Sequence, residues 1–290
     1  MSAQNISFYQ KNDENYADVY VNDDLIFTCR VGGLENTNKT VILLHGFPET
    51  SRMWKGLIET LSSSNYRVIA PDQRGYSKGA RPLKVDDYKA SKLSQDIINI
   101  ANAFSVDKFH LIGHDWGSSI GWALTSKFKD RVITFTSLSL PHSDAFSYAI
   151  INDETQKKKS YYIKLFRLKF LPELYFKIFN YKNLRNLWSR SNKNEIESYL
   201  GVFSQTNALK SALNWYRAND LSNTKKIGNI FVSTLMIYGI KDMSIGEEAV
   251  DETEKYMKGP YSLIKIKASH WLIQDSFEIV SKEILNHLRS

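Results

Sequence analysis

Short runs of apolar residues, each closed by turn-forming residues, recur along the chain. They are Val41–Leu44, Val68–Ala70, Phe109–Ile112, Val132–Leu140, Thr234–Tyr238 and Leu263–Ile266. None alternates apolar with polar, and uninterrupted runs of this kind suit strands buried on both faces of a parallel sheet. Ahead of them, "ADVYVNDDLIFTCRV" predicts two strands, Ala17–Val21 and Leu25–Val31, joined by a turn at Asn22-Asp23-Asp24. Segments of helical length, such as Ser91–Phe104, Trp116–Phe128 and Gly246–Met257, lie between the runs. Strand alternating with helix predicts a doubly wound α/β fold, a mostly parallel sheet with helices on both faces.

The alternation stops after the sixth strand. Residues 143–218 are rich in Lys, Tyr, Phe, Leu and Asn, with a mostly helical pattern broken near Pro172. Such an insertion most simply covers the carboxyl edge of the sheet, where open α/β sheets bind ligands. The expected division is a core of residues 1–142 and 219–290 and a helical cap of residues 143–218.

Composition narrows the class. With 42% hydrophobic and 24% charged residues, the 290-residue chain has ordinary globular proportions. No apolar run is long enough for a transmembrane helix, and the polar N-terminus has no secretory pattern, so a cytoplasmic protein is expected. Cys29 is the single cysteine, which excludes an intrachain disulfide and a cysteine-built zinc site. "GLENTNKT" (residues 33–40) imitates a phosphate-binding loop, but Asn38 replaces its second glycine and an apolar strand follows instead of a helix.

Charge is concentrated. Ile151–Arg190 holds ten Lys or Arg against three Asp or Glu, which equals the whole formal excess of +7. No groove-reading motif accompanies it, so nucleic acid is not an expected partner. A solvated face accounts for the window simply. Because its cations interleave with large apolar residues, it is also suited to peripheral contact with anionic surfaces or to steering acidic substrates.

The candidate chemistry starts at "LIGHDWGSSIG", residues 111–121. A strand-to-helix elbow flanked by Gly113 and Gly117 lifts its central residue into a pocket, and that residue is Asp115. Serine attacking a saturated carbon would leave an ether, which water does not readily cleave. Aspartate leaves an alkyl ester, whose carbonyl water can attack. An aspartate nucleophile therefore suits an epoxide or an alkyl halide, in two covalent steps. His270, after the last strand, is the expected base, and Asp242, after Thr234–Tyr238, its orienting acid. The order Asp115, Asp242, His270 follows that of α/β hydrolases. Backbone N–H groups of Phe47 and Trp116 are the expected oxyanion donors.

The segments "LLHGFPE", "VIAPDQRGYSKG", "HLIGHDWG", "LSLPH", "SYYIKLFRLKFLPE", "ALNWYRAN", "IYGIKD" and "SHWLIQD" resemble the epoxide hydrolases of the α/β-hydrolase superfamily from Val41 to Leu288. The resemblance implies a cofactor-independent enzyme acting on a small-molecule epoxide, with a cis Phe47–Pro48 bond. It implies two cap tyrosines that protonate the ring oxygen: Tyr216, and either Tyr162 or its neighbour Tyr161. Tyr161, Phe47, Trp116 and Trp271 are expected to contact substrate. Haloalkane and haloacid dehalogenases share the aspartate, but Phe47 stands where the former carry asparagine, and Ser118 and Ser119 where haloacetate enzymes carry arginine. A non-catalytic pocket protein is the alternative from another class. Ser269 before the histidine, Phe277 after it and "RLKF" at 167–170 depart from the family pattern. The sequence leaves the oligomeric state open.

Overall fold

The computed structural model describes residues 6–21, 25–37, 39–222 and 226–289. The expected turn at residues 22–24 and Asn38 lie outside them. Among the described residues nine strands form one sheet: β1 (Ile6–Lys11), β2 (Glu14–Val21), β3 (Leu25–Gly32), β4 (Thr40–Leu44), β5 (Arg67–Pro71), β6 (Phe109–His114), β7 (Val132–Leu138), β8 (Ser233–Gly239) and β9 (Tyr261–Ile266). Their order across the sheet is β1-β2-β3-β5-β4-β6-β7-β8-β9. Pairings from β5 to β9 are all parallel, and those from β1 to β5 antiparallel. The expected α/β architecture is borne out.

The apolar runs became the parallel strands for a simple reason: every residue of β4 and β6 is buried, so neither has a solvent side to require alternation. β1 was not expected. Its sequence ISFYQK is exposed at five of six positions, and an edge strand of that kind carries no apolar run. A tight turn joins it to β2, with Asn12 and Asp13 both at positive φ, the geometry that two-residue hairpins favour. Because of β1, the helical insertion follows the seventh strand, not the sixth.

The helices before the insertion are α1 (Lys55–Ser63), α2 (Ala90–Ala103) and α3 (Trp116–Lys127). Inserted between β7 and β8 are α4 (Ser143–Asn152), α5 (Glu154–Lys159), α6 (Tyr161–Phe166), α7 (Leu171–Leu187), α8 (Lys193–Phe203) and α9 (Ala208–Ala218). Then come α10 (Glu247–Glu252) and α11 (Leu272–Arg289). α1 and α11 pack together on one face of the sheet, and α2 and α3 on the other. α4 packs on α10, which roots the insertion in the rest of the protein. Pro172 sits in the first turn of α7, where a missing N–H costs nothing. A second break was not legible in the sequence: Ile178–Tyr181 leave helical geometry, three of them left-handed. Residues 33–37 hold a turn and β4 begins at Thr40, so the phosphate-loop imitation is followed by a strand and not by a helix.

Candidate active site

Parallel strands point their carboxyl ends the same way, and the candidate residues follow those ends. β6 ends at His114, and α3 begins at Trp116, leaving Asp115 alone at the corner. Its backbone has φ 52° and ψ −121°, a conformation that costs a non-glycine residue energy and marks a functional turn. The corner needs glycine at two positions of close approach. A Cβ on Gly117 would collide with the Leu44 carbonyl oxygen, and one on Gly46 with the Asp115 side chain.

β8 leads to Asp242 and β9 to His270, which meet beside Asp115. His270 Nδ1 lies 2.7 Å from Asp242 Oδ2, and its Nε2 lies 3.7 Å from Asp115 Oδ2. Asp242 uses its other oxygen to accept from the backbone N–H groups of Ser244 (2.7 Å) and Ile245 (3.0 Å). Phe47 N–H donates to Asp115 Oδ1 at 2.8 Å, and the Trp116 N–H, next in the chain, also favours the ionised Asp115 carboxylate. The three titratable groups are all buried.

The electrostatics are those of a compensated ion cluster. Burial disfavours a charged imidazole, but Asp242 and then Asp115 overcome it and raise His270 to about 10. Burial likewise opposes the Asp115 charge, and the hydrogen bond and charge of His270 hold its carboxyl below the usual range. Carboxylate and imidazolium therefore coexist at neutral pH.

A cavity of about 470 Å³ opens over Asp115 and His270. Tyr162 and Tyr216 line it from the insertion, and Phe47, Trp271, Phe166 and Phe176 make much of its apolar wall. Burial raises both tyrosines, and the Asp115 charge raises them further, so both hydroxyls keep their protons.

Comparison with known proteins shows the family. Residues 39–276 match the family described as alpha/beta hydrolase fold. A Bacillus subtilis protein, the AB hydrolase superfamily protein YfhM, is 32% identical over 257 residues, covering 86% of this chain and 90% of that one. Human Epoxide hydrolase 4 is 32% identical over 267 residues, covering 88% of this chain and 74% of that one. The chain belongs to the epoxide hydrolase family of α/β hydrolases. Among solved structures, an epoxide hydrolase from hot-environment metagenomes superposes with a TM-score of 0.85 at 24% identity, covering 94% of this chain and 98% of that one. The Bacillus megaterium epoxide hydrolase gives 0.83 at 22% identity, covering 98% and 100%.

The family motifs put most of the expected residues together and one apart. Asp115, Asp242, His270, Phe47, Tyr162, Tyr216 and Trp271 share the site. The Phe47–Pro48 bond is cis, as the resemblance implies. Tyr161 is the correction. It is 60% exposed and faces an outer groove with Lys157, Lys158 and Lys164, not the cavity. Consecutive helical residues project about 100° apart, so α6 can aim only one of the pair inward, and that one is Tyr162. Trp116 borders a small void on the far side of Asp115, with its ring against Tyr216. The departures are absorbed locally. Ser269 ties the His270 loop to α11, its N–H bonding Asp275 Oδ2 and its hydroxyl accepting from Trp271 N–H. The Phe277 ring lies over Gly56.

Two groups near the site escaped sequence reasoning. His114 Nε2 bonds the His270 carbonyl oxygen at 2.9 Å, and its Nδ1 lies 3.3 Å from Glu49 Oε2, both side chains being buried. His114 ends an apolar strand and Glu49 lies in the loop after β4, and nothing in their spacing pairs them. Gln156 and Lys159, on α5, hold the Asp242 loop. The Gln156 side chain bonds the Ser244 carbonyl and the Gly246 N–H, and Lys159 Nζ bonds the Asp242 and Ile245 carbonyls.

Proposed function

We propose that this protein converts an epoxide to a vicinal diol through an alkyl ester on Asp115. One observation carries the reading: a buried, ionised carboxylate on a strained elbow, faced by His270 and by two protonated cavity tyrosines. The names of the relatives support the same substrate class. In this reading residues 143–218 act as a cap that brings Tyr162 and Tyr216 over the nucleophile.

In the first step Asp115 attacks a ring carbon, the C–O bond opens, and a tyrosine hydroxyl gives its proton to the departing oxygen. Alkylation removes the Asp115 charge. His270 then loses one of the two carboxylates that hold its proton, so its affinity for that proton falls as a base is needed. His270 releases its proton to solvent once the Asp115 charge is gone, and regains it when that charge returns at the end of the cycle. In the second step the neutral imidazole takes a proton from water, and the resulting hydroxide attacks the Asp115 ester carbon. The Phe47 and Trp116 N–H groups, already aimed at Asp115, hold the tetrahedral oxyanion. Collapse expels the diol, with one water proton passing through His270 to its oxygen and the other restoring the tyrosine.

Dehalogenation draws less support. Phe47 has no side-chain amide for a halide, and the Trp116 ring packs edge-on against Tyr216. A panel of epoxides and terminal haloalkanes, with Asp115→Ala as the blank, tests the reading. Epoxide turnover is expected. Turnover of haloalkanes alone would replace the reading with dehalogenation, and turnover of neither with the non-catalytic pocket protein.

A further inference from the structure

Five side chains that line the cavity are also exposed: Leu165, Leu168, Leu171, Tyr175 and Met243. They mark where the cavity opens. Next to these or to other lining residues in the chain are Leu174 and the two most exposed large apolar side chains among the described residues, Phe170 at 78% and Phe179 at 80%, the first preceding Leu171 and the second following Phe176 by three residues. Both phenylalanines have positive φ, 66° and 49°, a conformation costly for a bulky residue and not repaid by burial here. An exposed apolar patch of this extent on a soluble protein marks an interaction site.

The charges around the patch say what covers it. Lys169, Lys177 and Lys182 are exposed along this stretch and Lys164 in the outer groove beside it, and none of the four forms an ion pair with a described residue. The arginines of the same stretch are different: Arg167, Arg185 and Arg190 face Asp220, Glu197 and Asp275. Glu173, the single acidic residue between Tyr161 and Arg190, is tied to Arg217 at 2.8 Å. The patch therefore presents unpaired positive charge beside apolar side chains, with no free negative charge. A second copy of the chain would bring like charge to like charge.

We propose that the mouth of the cavity docks onto an anionic phospholipid bilayer. Phe170, Phe179 and the leucines enter the boundary of the acyl chains, and the lysines extend to the lipid phosphates. No described helix is long and apolar enough to cross a membrane, so the contact is peripheral. Docking would open the cavity to lipid, so that a lipophilic substrate reaches Asp115 without crossing water. The inference concerns the surface and is independent of the reaction proposed above.

Co-sedimentation of the full chain with vesicles tests it. Binding is expected to equimolar phosphatidylcholine and phosphatidylglycerol, to weaken with added salt, and to be lost on phosphatidylcholine alone. It should fall at least about tenfold in Phe170→Ser/Phe179→Ser, and by a similar factor when the four lysines become glutamine. Both variants should keep the thermal stability and the turnover of a short water-soluble epoxide. In the unaltered protein, anionic vesicles should also slow tryptic cutting after Lys177 and Lys182. Binding to neither vesicle, equal binding to both, or binding unchanged by both variants would overturn the proposal. So would a dimer lost in Phe170→Ser/Phe179→Ser without vesicle binding.

Discussion

The floor and the mouth of the cavity are built on opposite terms. At the floor, Asp115, Asp242 and His270 are buried, and each is held by named donors or charges at short range. At the mouth, Phe170 and Phe179 are exposed and the neighbouring lysines are unpaired. Burial with full compensation fixes geometry and proton positions, which covalent catalysis requires. Exposure without compensation fixes nothing internally and leaves free energy available for a surface outside the protein. Substitutions at the floor should thus affect turnover, and those at the mouth only access.

The largest effect is expected at the nucleophile. Asp115→Ala should lower kcat by about 10⁴-fold or more, because no neighbouring group can form the ester. Steady-state turnover of a water-soluble epoxide checks this, and residual activity near the native rate would put the chemistry elsewhere. Next come the tyrosines. Tyr162→Phe and Tyr216→Phe should each lower kcat by about 10–100-fold, as loss of one of two acids does, and the double variant further. Tyr161→Phe should change it less than about twofold. Equal effects at positions 161 and 162 would break the distinction between the inward and outward faces of α6.

The imidazole sharpens the contrast through pH. His270 is raised in the folded protein to about 10, above its unfolded value near about 6.5. Its contribution to stability is therefore complete below the unfolded value and disappears as pH rises through about 10. The melting temperature of the native protein should exceed that of His270→Gln at pH 6, and the gap should close towards pH 10. A gap that widened with pH would contradict the ion cluster. The smallest effect is expected at the clasp on the Asp242 loop. Gln156→Ala should cost about 1–3 kcal/mol in denaturant unfolding, from three lost hydrogen bonds, two of them buried.

Much of the floor was legible in the sequence, and the reason is local. Asp115, Asp242 and His270 each follow an apolar run, and a parallel sheet brings all such ends to one edge. Tyr162 was legible only to within one residue. Its motif is a double tyrosine, and helical phase, not type, decides which one turns inward. The strand Ile6–Lys11 was missed because an exposed edge pairs through its backbone and leaves no apolar trace. Glu49 and His114 were missed because their pairing depends on how the loop after β4 meets the end of β6, which spacing does not encode. The basic window was visible as charge, but which lysines lack partners depends on where Asp220, Glu197 and Asp275 fall in space.

The central claim is that Asp115 forms the ester and water then attacks its carbonyl carbon. A single-turnover reaction in ¹⁸O-labelled water, followed by mass analysis of the peptide holding Asp115, tests it directly. Label in the Asp115 carboxylate, with none acquired in His270→Gln, is the predicted result. Label in the diol alone, with the Asp115 peptide unchanged, would mean that water attacks the epoxide itself and would contradict the account.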